Sequence, residues 1–425
     1  MKRLTLATKS FLTSRIFFVL AARGSYSVFS LIFVVIFGIV LNVDDFAFFA
    51  LLESIKIFVV IVPCTALSQA LIKNHIKNKS ITSLHAGFLL HFILLVLFVL
   101  LMLGAFGINI LFDGPNMYWF DVFAFTIYVI TLYFYLLAKT VWLSFDNLKN
   151  IAVMDSLLLM SFLIVIYTTN SLINDWDVSF SLINLSAAFF ITAFVSWVQI
   201  FRSINIKKDI FFGKEIKSDI QFQLHYFKFS FVNNLSTNSL NIIDSMLVYF
   251  FLGSYSTALY KASKVLLSAF VIIGDLFYML LFPRLCQYSL NDYNTAEEIL
   301  VKSLKQSFLW IFLISVFIVV YGADVLNIVY NGRYDFFEIS LFVQLIGVYG
   351  LVLVFVRIYS IFVSALGYPD ILMKSSLMAS VGLVACISIF IPLYGLNVIP
   401  IVLIFSAIFI ALYNYNSINK LRTCL

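Results

Sequence analysis

The chain is dominated by long apolar runs that recur along almost its whole length. A helix that crosses the hydrocarbon core of a bilayer needs about 20 consecutive apolar residues. Hydrophobic residues make up 63% of the 425 residues and charged residues only 11%, whereas soluble domains contain about 45–50% and about 25%. A water-soluble fold cannot bury this much apolar surface, so we predict an all-α polytopic membrane protein.

Twelve membrane-spanning helices are predicted from these runs. Their bounds are Ser14–Leu41, Phe46–Ile72, Leu84–Phe106, Trp119–Leu143, Ile151–Thr168, Val178–Phe201, Phe229–Leu252, Ser256–Pro283, Ser303–Tyr321, Leu341–Leu366, Ile371–Ile391 and Asn397–Ile418. An even number of spans places both termini on one side of the membrane. The connections on that side carry nearly all the Lys and Arg residues, while the opposite connections hold only Arg333. The positive-inside rule therefore predicts cytoplasmic termini. The net charge of +6 reflects this topology and does not indicate nucleic-acid binding.

The longest polar stretch, from Arg202 to Lys228, divides the spans into six and six. We predict an N-terminal six-helix lobe (1–205), a cytoplasmic linker (206–228) that lies on the inner membrane surface, and a C-terminal six-helix lobe (229–425). Two halves that start on the same side are related by a pseudo-two-fold axis along the membrane normal. Repeats of this kind place a binding cavity between the halves near the bilayer midplane.

Charged and amide side chains inside the predicted spans are the candidate functional residues, because a charge at mid-span costs about 2.5–3.5 kcal/mol and generally faces a protein interior or a hydrated cavity. The substrate-binding candidates are Arg23, Lys56, Asn234, Asn241, Lys261, Lys264 and Arg357. The ion-coupling candidates are Glu53, Asp244 and Asp275. Since four of the bases lie at similar predicted depths, they favour a cationic cavity for an anionic passenger such as a phosphate or pyrophosphate.

Most of these positions also have a purely structural interpretation. Glu53 and Lys56 are three residues apart on one helix face and could neutralise each other. Arg357 could extend its charge to the interface, and the amides of the seventh span could bond across helices. Lys261 and Lys264 are the hardest to explain structurally, because like charges one turn apart repel each other unless an anion or water lies between them.

Three further charged residues are assigned to the membrane interface, one of them Asp121 beside Trp119. Lys139 lies near the inner end of the fourth span and Asp155 near the start of the fifth. We interpret Lys139 as an anchor whose ammonium reaches the headgroups, and Asp155 as an interfacial carboxylate.

The sequence contains no G-x-S-x-G element, P-loop or HExxH motif, so no enzyme activity and no cofactor is predicted. The four cysteines and four histidines have no metal-ligand spacing. Transport would then depend on an ion gradient, the membrane potential or the substrate gradient. The three acids within the predicted spans could carry H⁺ or Na⁺ if their surroundings set their ionisation suitably.

The seventh and eighth spans contain motifs that resemble the O-antigen and polysaccharide flippases of the multidrug/oligosaccharidyl-lipid/polysaccharide exporter superfamily. The matching residues are Asn241-Ile-Ile-Asp244, Leu252-Gly253, Ala258-Leu-Tyr260-Lys-Ala262-Ser-Lys264 and Leu281-Phe-Pro283. Looser matches are Arg23-Gly24, Val329-Tyr-Asn-Gly332, Ala365-Leu-Gly367 and Ile391-Pro-Leu-Tyr-Gly395. With the twelve-span layout, the resemblance extends over essentially the whole chain.

This resemblance implies a V-shaped pair of six-helix bundles in the bacterial inner membrane that work by alternating access. The implied passenger is an oligosaccharide repeat unit on undecaprenyl pyrophosphate, moved from the cytoplasmic to the periplasmic leaflet among membrane lipids. An association with the glycan polymerase is a further expectation. Two alternatives stay open: a cation-coupled multidrug antiporter of the same superfamily, and a membrane glycan polymerase or ligase.

Overall fold

The computed structural model describes residues 15–78, 81–111, 119–145, 147–170, 176–203, 214–285, 293–366 and 368–423. These residues are almost entirely helical and contain no strand. The helices are α1 (Arg15–Val40), α2 (Val43–Lys56), α3 (Val62–Asn78), α4 (Ile81–Leu111), α5 (Trp119–Ser144), α6 (Leu148–Asn170), α7 (Val178–Ser203), α8 (Lys214–Leu285), α9 (Tyr293–Val329), α10 (Ser340–Ala365), α11 (Pro369–Tyr394) and α12 (Val398–Thr423).

Within the described residues, nine segments are long and apolar enough to cross a membrane, and Gly24–Val40 is a shorter apolar helix. One of the nine segments, Asp370–Leu421, contains most of both α11 and α12. The prediction of an all-α, multi-pass membrane protein is confirmed. The total of twelve spans and the cytoplasmic termini stay predictions.

The helix α8 contains a reversal at Gly253, although its helical assignment is continuous over 72 residues. Gly253 has φ 79° and ψ −173°, which is backbone that favours glycine. Residues 20 positions apart in a straight helix would be about 30 Å apart, yet Asp244 and Lys264 are in contact. The chain therefore turns back at Gly253, which agrees with two predicted spans, Phe229–Leu252 and Ser256–Pro283.

A π-helical turn, Ile57–Ile61, joins α2 to α3 just before Pro63. Proline lacks the backbone N–H that would continue an α-helical ladder, so a change of helical winding at this point is expected. Lys56 is the last residue of α2 and immediately precedes the π-helical turn.

The contacts divide the chain into two compact units, residues 1–30 with 55–235 and residues 31–54 with 236–425. In the first unit α5 packs against α7, and α6 also packs against α7. In the second unit α9 packs against α10, and α12 packs against both α10 and α11. The predicted lobe boundaries at residues 205 and 229 stay predictions.

The start of α8 belongs to the first unit. The predicted linker over 206–228 stays a prediction, and its residues 206–213 lie outside the described part of the chain. Asp219 is buried and accepts hydrogen bonds from Asn74 (2.9 Å) and Thr82 (2.8 Å). The buried Gln223 donates to the backbone oxygen of Ser83 at 2.8 Å. Hydrogen bonds therefore hold this segment on the α3–α4 connection.

In the second unit, the last turn of α1, next to the α1–α2 connection, is held by the loop that follows α9, an arrangement that we call the α1–α2 clamp. Arg333 Nη1 donates to the backbone oxygen of Ile39, and the Tyr334 hydroxyl donates to that of Gly38 at 3.1 Å. Gly38 has no room for a side chain, since a Cβ would lie 2.5 Å from the Tyr330 ring. Burial raises the pKa of Tyr334 to about 12, so its phenol stays protonated and able to donate.

Candidate functional site

A buried carboxylate at Asp244 forms the centre of a polar cluster in the second unit. Asp244 is 0% exposed, and its Oδ2 lies 2.8 Å from Lys264 Nζ. The Tyr260 hydroxyl donates to the same oxygen, and the backbone N–H of Ser245 donates to Oδ1 at 2.6 Å. Tyr260 and Lys264 are one turn apart on the same helix face, so the reversal at Gly253 presents both to the carboxylate.

The structure thus joins a predicted substrate-binding base to a predicted ion-coupling acid. Lys264 keeps 21% of its side chain exposed while Asp244 keeps none, so the ammonium is the accessible part of the pair. Lys261 and Lys264 can therefore lie one turn apart without a bound anion between them. The negative charge of Asp244 offsets the positive charge of Lys264 and reduces the repulsion between the two lysines. Lys261 itself is half-buried.

Arg357 on α10 contacts the second half of α8. Its Nη1 donates to the backbone oxygen of Val271 at 3.2 Å. Its stem covers Gly274, where a Cβ would lie 2.8 Å from Arg357 Cδ. The half-buried guanidinium is therefore directed at a neighbouring helix, and the absence of a side chain at Gly274 makes room for it.

A similar cluster occurs in the first unit, where Asp155 is 0% exposed and lies 2.7 Å from Lys139 Nζ. The Tyr135 hydroxyl donates to Asp155, and Lys139 Nζ lies 4.8 Å from the centre of the Tyr26 ring. Lys139 therefore binds a carboxylate inside the unit, which differs from the predicted anchor whose ammonium reaches the headgroups. The interfacial depth of Lys139 and Asp155 stays a prediction.

One signal in the sequence could have identified this second cluster. Tyr135 and Lys139 have the same spacing of four residues as Tyr260 and Lys264, and each pair surrounds one buried aspartate. A Tyr and a Lys one turn apart present a hydroxyl and an ammonium to the same point.

Lys56 and Glu53 are buried on α2, with 7% and 5% exposure. Lys56 Nζ donates to the Tyr128 hydroxyl at 2.9 Å and lies 5.4 Å from the centre of that ring. The tyrosine therefore contributes a hydrogen-bond acceptor to this cation, which lies beside the hydroxyl at the edge of the ring.

Four candidate residues remain, and the structure describes the side chain of one of them. Asn234 is buried and donates to the side-chain oxygen of Gln69 at 3.4 Å, a bond of the kind expected between helices. The side chains of Arg23, Asn241 and Asp275 lie outside the described part of the chain.

Basic side chains outnumber acidic ones among the described candidates and the Lys139–Asp155 pair. The set comprises five bases and three acids: Lys56, Lys139, Lys261, Lys264 and Arg357 against Glu53, Asp155 and Asp244. The formal sum is +2, distributed over the two units. Where side chains are described, no three His, Cys, Asp or Glu residues converge as metal ligands would.

No protein-family model matches the chain, and no curated protein sequence matches it. Solved structures do resemble it. An inward-facing multidrug resistance transporter of the MATE family in the MOP superfamily aligns with a TM-score of 0.71 and 14% identity, over 96% of this chain and 99% of that one. The lipid II flippase MurJ, in an inward closed conformation, gives 0.71 and 16% over 95% and 87%.

A MOP superfamily transporter from Pyrococcus furiosus gives a TM-score of 0.63 and 13% identity over 96% of this chain and 94% of that one. The agreement over nearly the full length of all three proteins shows that this chain has the exporter fold of that superfamily. At identities this low, the likeness extends to the fold alone.

Proposed function

We propose that this protein is a flippase for lipid-linked oligosaccharides. It moves undecaprenyl-pyrophosphate-linked O-antigen or polysaccharide repeat units from the cytoplasmic to the periplasmic leaflet of the bacterial inner membrane. The observation that carries this proposal is that five bases accompany three acids among the described candidate residues and the Lys139–Asp155 pair, all of them buried or half-buried. The fold supports it as well, since a protein named as a lipid II flippase shares that fold.

The physical problem that such a protein solves is the desolvation of a charged headgroup. A sugar pyrophosphate cannot cross about 30 Å of hydrocarbon without replacement of its bound water. Ammonium and guanidinium groups form charge-assisted hydrogen bonds with phosphate oxygens, and tyrosine hydroxyls can bond to sugars. The polyprenyl tail can meanwhile stay in the lipid.

We propose that Lys56, Lys261, Lys264 and Arg357 bind the phosphate groups. We propose the same role for Arg23, whose side chain lies outside the described part of the chain. Hydrogen-bonding side chains such as Asn234 and Asn241 would contact the sugars. Alternating access would expose the bound headgroup to each side of the membrane in turn.

Ion coupling follows from the two lysine–aspartate pairs. A phosphate that approaches Lys264 competes with Asp244 for the same ammonium, which lies 2.8 Å from the carboxylate. A proton or Na⁺ on Asp244 would neutralise the carboxylate and leave Lys264 available to the phosphate. Asp155 and Lys139 could form a second coupling pair of the same chemistry, while Glu53 and Asp275 remain additional candidates.

The test is removal of charge by a neutral polar side chain that is one atom shorter. Lys56→Gln combined with Lys261→Gln would be expressed in a flippase-deficient strain, and surface polysaccharide would be scored by immunoblot. Each lost charged hydrogen bond weakens binding by about 1.5–3 kcal/mol, so loss of both lowers the affinity for the headgroup by at least about 100-fold. Lys305→Gln, at an exposed lysine of α9, is the matched control. Wild-type polysaccharide from the double variant, at equal protein abundance, would contradict the proposal.

The second candidate is a cation-coupled multidrug antiporter, which the buried Asp155 and Asp244 favour because a carboxylate can bind a cationic drug. MATE-family structures share the fold equally well. An antiporter would raise the resistance of a drug-sensitive strain to cationic compounds and would not restore surface polysaccharide. A flippase would give the opposite pair of results.

A further inference from the structure

An apolar groove of about 710 Å³ lies between α11 and α12 in the second unit. Its walls include Met378, Phe390 and Tyr394 from α11, and Phe405 and Phe409 from α12. Both helices belong to a membrane-spanning segment, so a hydrocarbon chain can reach the groove from the bilayer. Aromatic rings and thioethers provide apolar contact along such a chain.

The length of the groove identifies the kind of chain that fits it. Met378 and Tyr394 are separated by 16 residues, which corresponds to about 24 Å along a helix. One leaflet contributes about 15 Å, half of the hydrocarbon thickness of about 30 Å. A phospholipid acyl chain is confined to its own leaflet and would fill only part of this length. A polyisoprenoid chain is long enough to occupy all of it.

A positive charge lies just beyond one end of the groove. Lys374 is exposed and precedes Met378 by one turn, on the row of side chains that continues through Gly382, Cys386 and Phe390. The predicted topology places this end on the cytoplasmic side. Asp370, also exposed, lies one turn further towards the aqueous side. A lipid with its chain in the groove would bring a phosphate close to the Lys374 ammonium.

We propose that this groove binds the tail of a polyprenyl-phosphate-linked lipid in the cytoplasmic leaflet, with the phosphate at Lys374. This inference deepens the proposed function and rests on it, because it names a docking site for the same class of lipid. The site is separate from the buried bases that would hold the headgroup during translocation. Its role would be to concentrate the lipid carrier at the protein before that step.

Gly382 allows a specific block of the groove. A Cβ at this position would meet no atom within 4 Å, so Gly382→Phe places a ring in open groove space without a clash at the backbone. Gly104 on α4 is exposed and equally unobstructed, and it does not line this groove. Gly104→Phe is therefore a matched control for the same substitution elsewhere on the membrane surface.

The experiment uses the full-length protein in nanodiscs with photoactivatable undecaprenyl phosphate, and mass spectrometry locates the crosslinks. Wild type and Gly104→Phe should crosslink on α11 and α12. Gly382→Phe should crosslink about tenfold less, because the ring displaces two or more methylene groups of the tail. Lys374→Gln should weaken binding of undecaprenyl phosphate but not of undecaprenol. Unlabelled phosphatidylglycerol should not compete.

Equal crosslinking of Gly382→Phe and wild type would overturn the proposal, as would full competition by phosphatidylglycerol, which would make the occupant an ordinary phospholipid. Complementation by the wild-type chain separates this inference from the proposed function. If wild type restores surface polysaccharide while the block has no effect on crosslinking, the docking site is wrong and the flippase function stands. If the groove crosslinks but the chain restores nothing, the tail site stands and the flippase function is wrong.

Discussion

The Asp244–Lys264 pair allows a quantitative test of how the α8 reversal is held together. The perturbations are Lys264→Met, which keeps the apolar stem and removes the charge, Asp244→Asn, which keeps the shape, and the combined variant. Removal of one partner of a buried ion pair costs about 3–5 kcal/mol, because the other charge is left without compensation. The two partners differ in exposure, so the two single variants should differ in effect.

Lys264→Met leaves a carboxylate that is 0% exposed, and we expect a loss of about 3–4 kcal/mol. Tyr260 and the Ser245 backbone N–H still donate to that carboxylate, which keeps the loss below the upper limit. Asp244→Asn leaves a lysine that is 21% exposed and can reach water, so about 1–2 kcal/mol is expected. The combined variant should lose less than the sum of the two, since neither charge is then left alone.

The assay is thermal unfolding in detergent followed by tryptophan fluorescence, with all four proteins measured at one lipid content. Polysaccharide complementation of the same variants would show whether a stability change also affects transport. Additive losses within about 0.5 kcal/mol would refute the coupling of the two side chains. A larger loss for Asp244→Asn than for Lys264→Met would refute the argument from exposure.

Two further predictions concern the second unit. Arg333→Gln removes the guanidinium that donates to the Ile39 backbone oxygen. It should lower the free energy of unfolding by about 1–2 kcal/mol. An unchanged melting temperature would show that the α1–α2 clamp does not contribute to stability. Gly350→Ala places a Cβ about 2.1 Å from the buried Phe270 ring and should destabilise by about 1–3 kcal/mol. Gly382→Ala, in open space, should be neutral or stabilising by comparison, and equal melting temperatures for the two alanine variants would contradict this reasoning.

The candidate residues were partly predictable from the sequence, because an ionisable residue within an apolar run stands out wherever the chain folds. Glu53, Lys56, Asp244 and Lys264 were found in this way, and all four are buried or half-buried. Their partners were not predictable. The contact between Lys264 and Asp244 depends on the reversal at Gly253, and that between Lys56 and Tyr128 joins residues 72 positions apart.

The sequence by itself determined that this chain is helical and crosses a membrane several times, because the length of an apolar run is a local property that needs no knowledge of neighbouring helices. Only the tertiary structure decided which charges are paired, because electrostatic interaction depends on distances between atoms of different helices. Lys139 and Asp155 show the difference most clearly. Each looks interfacial when considered alone along the chain, and helix packing brings them to 2.7 Å from each other.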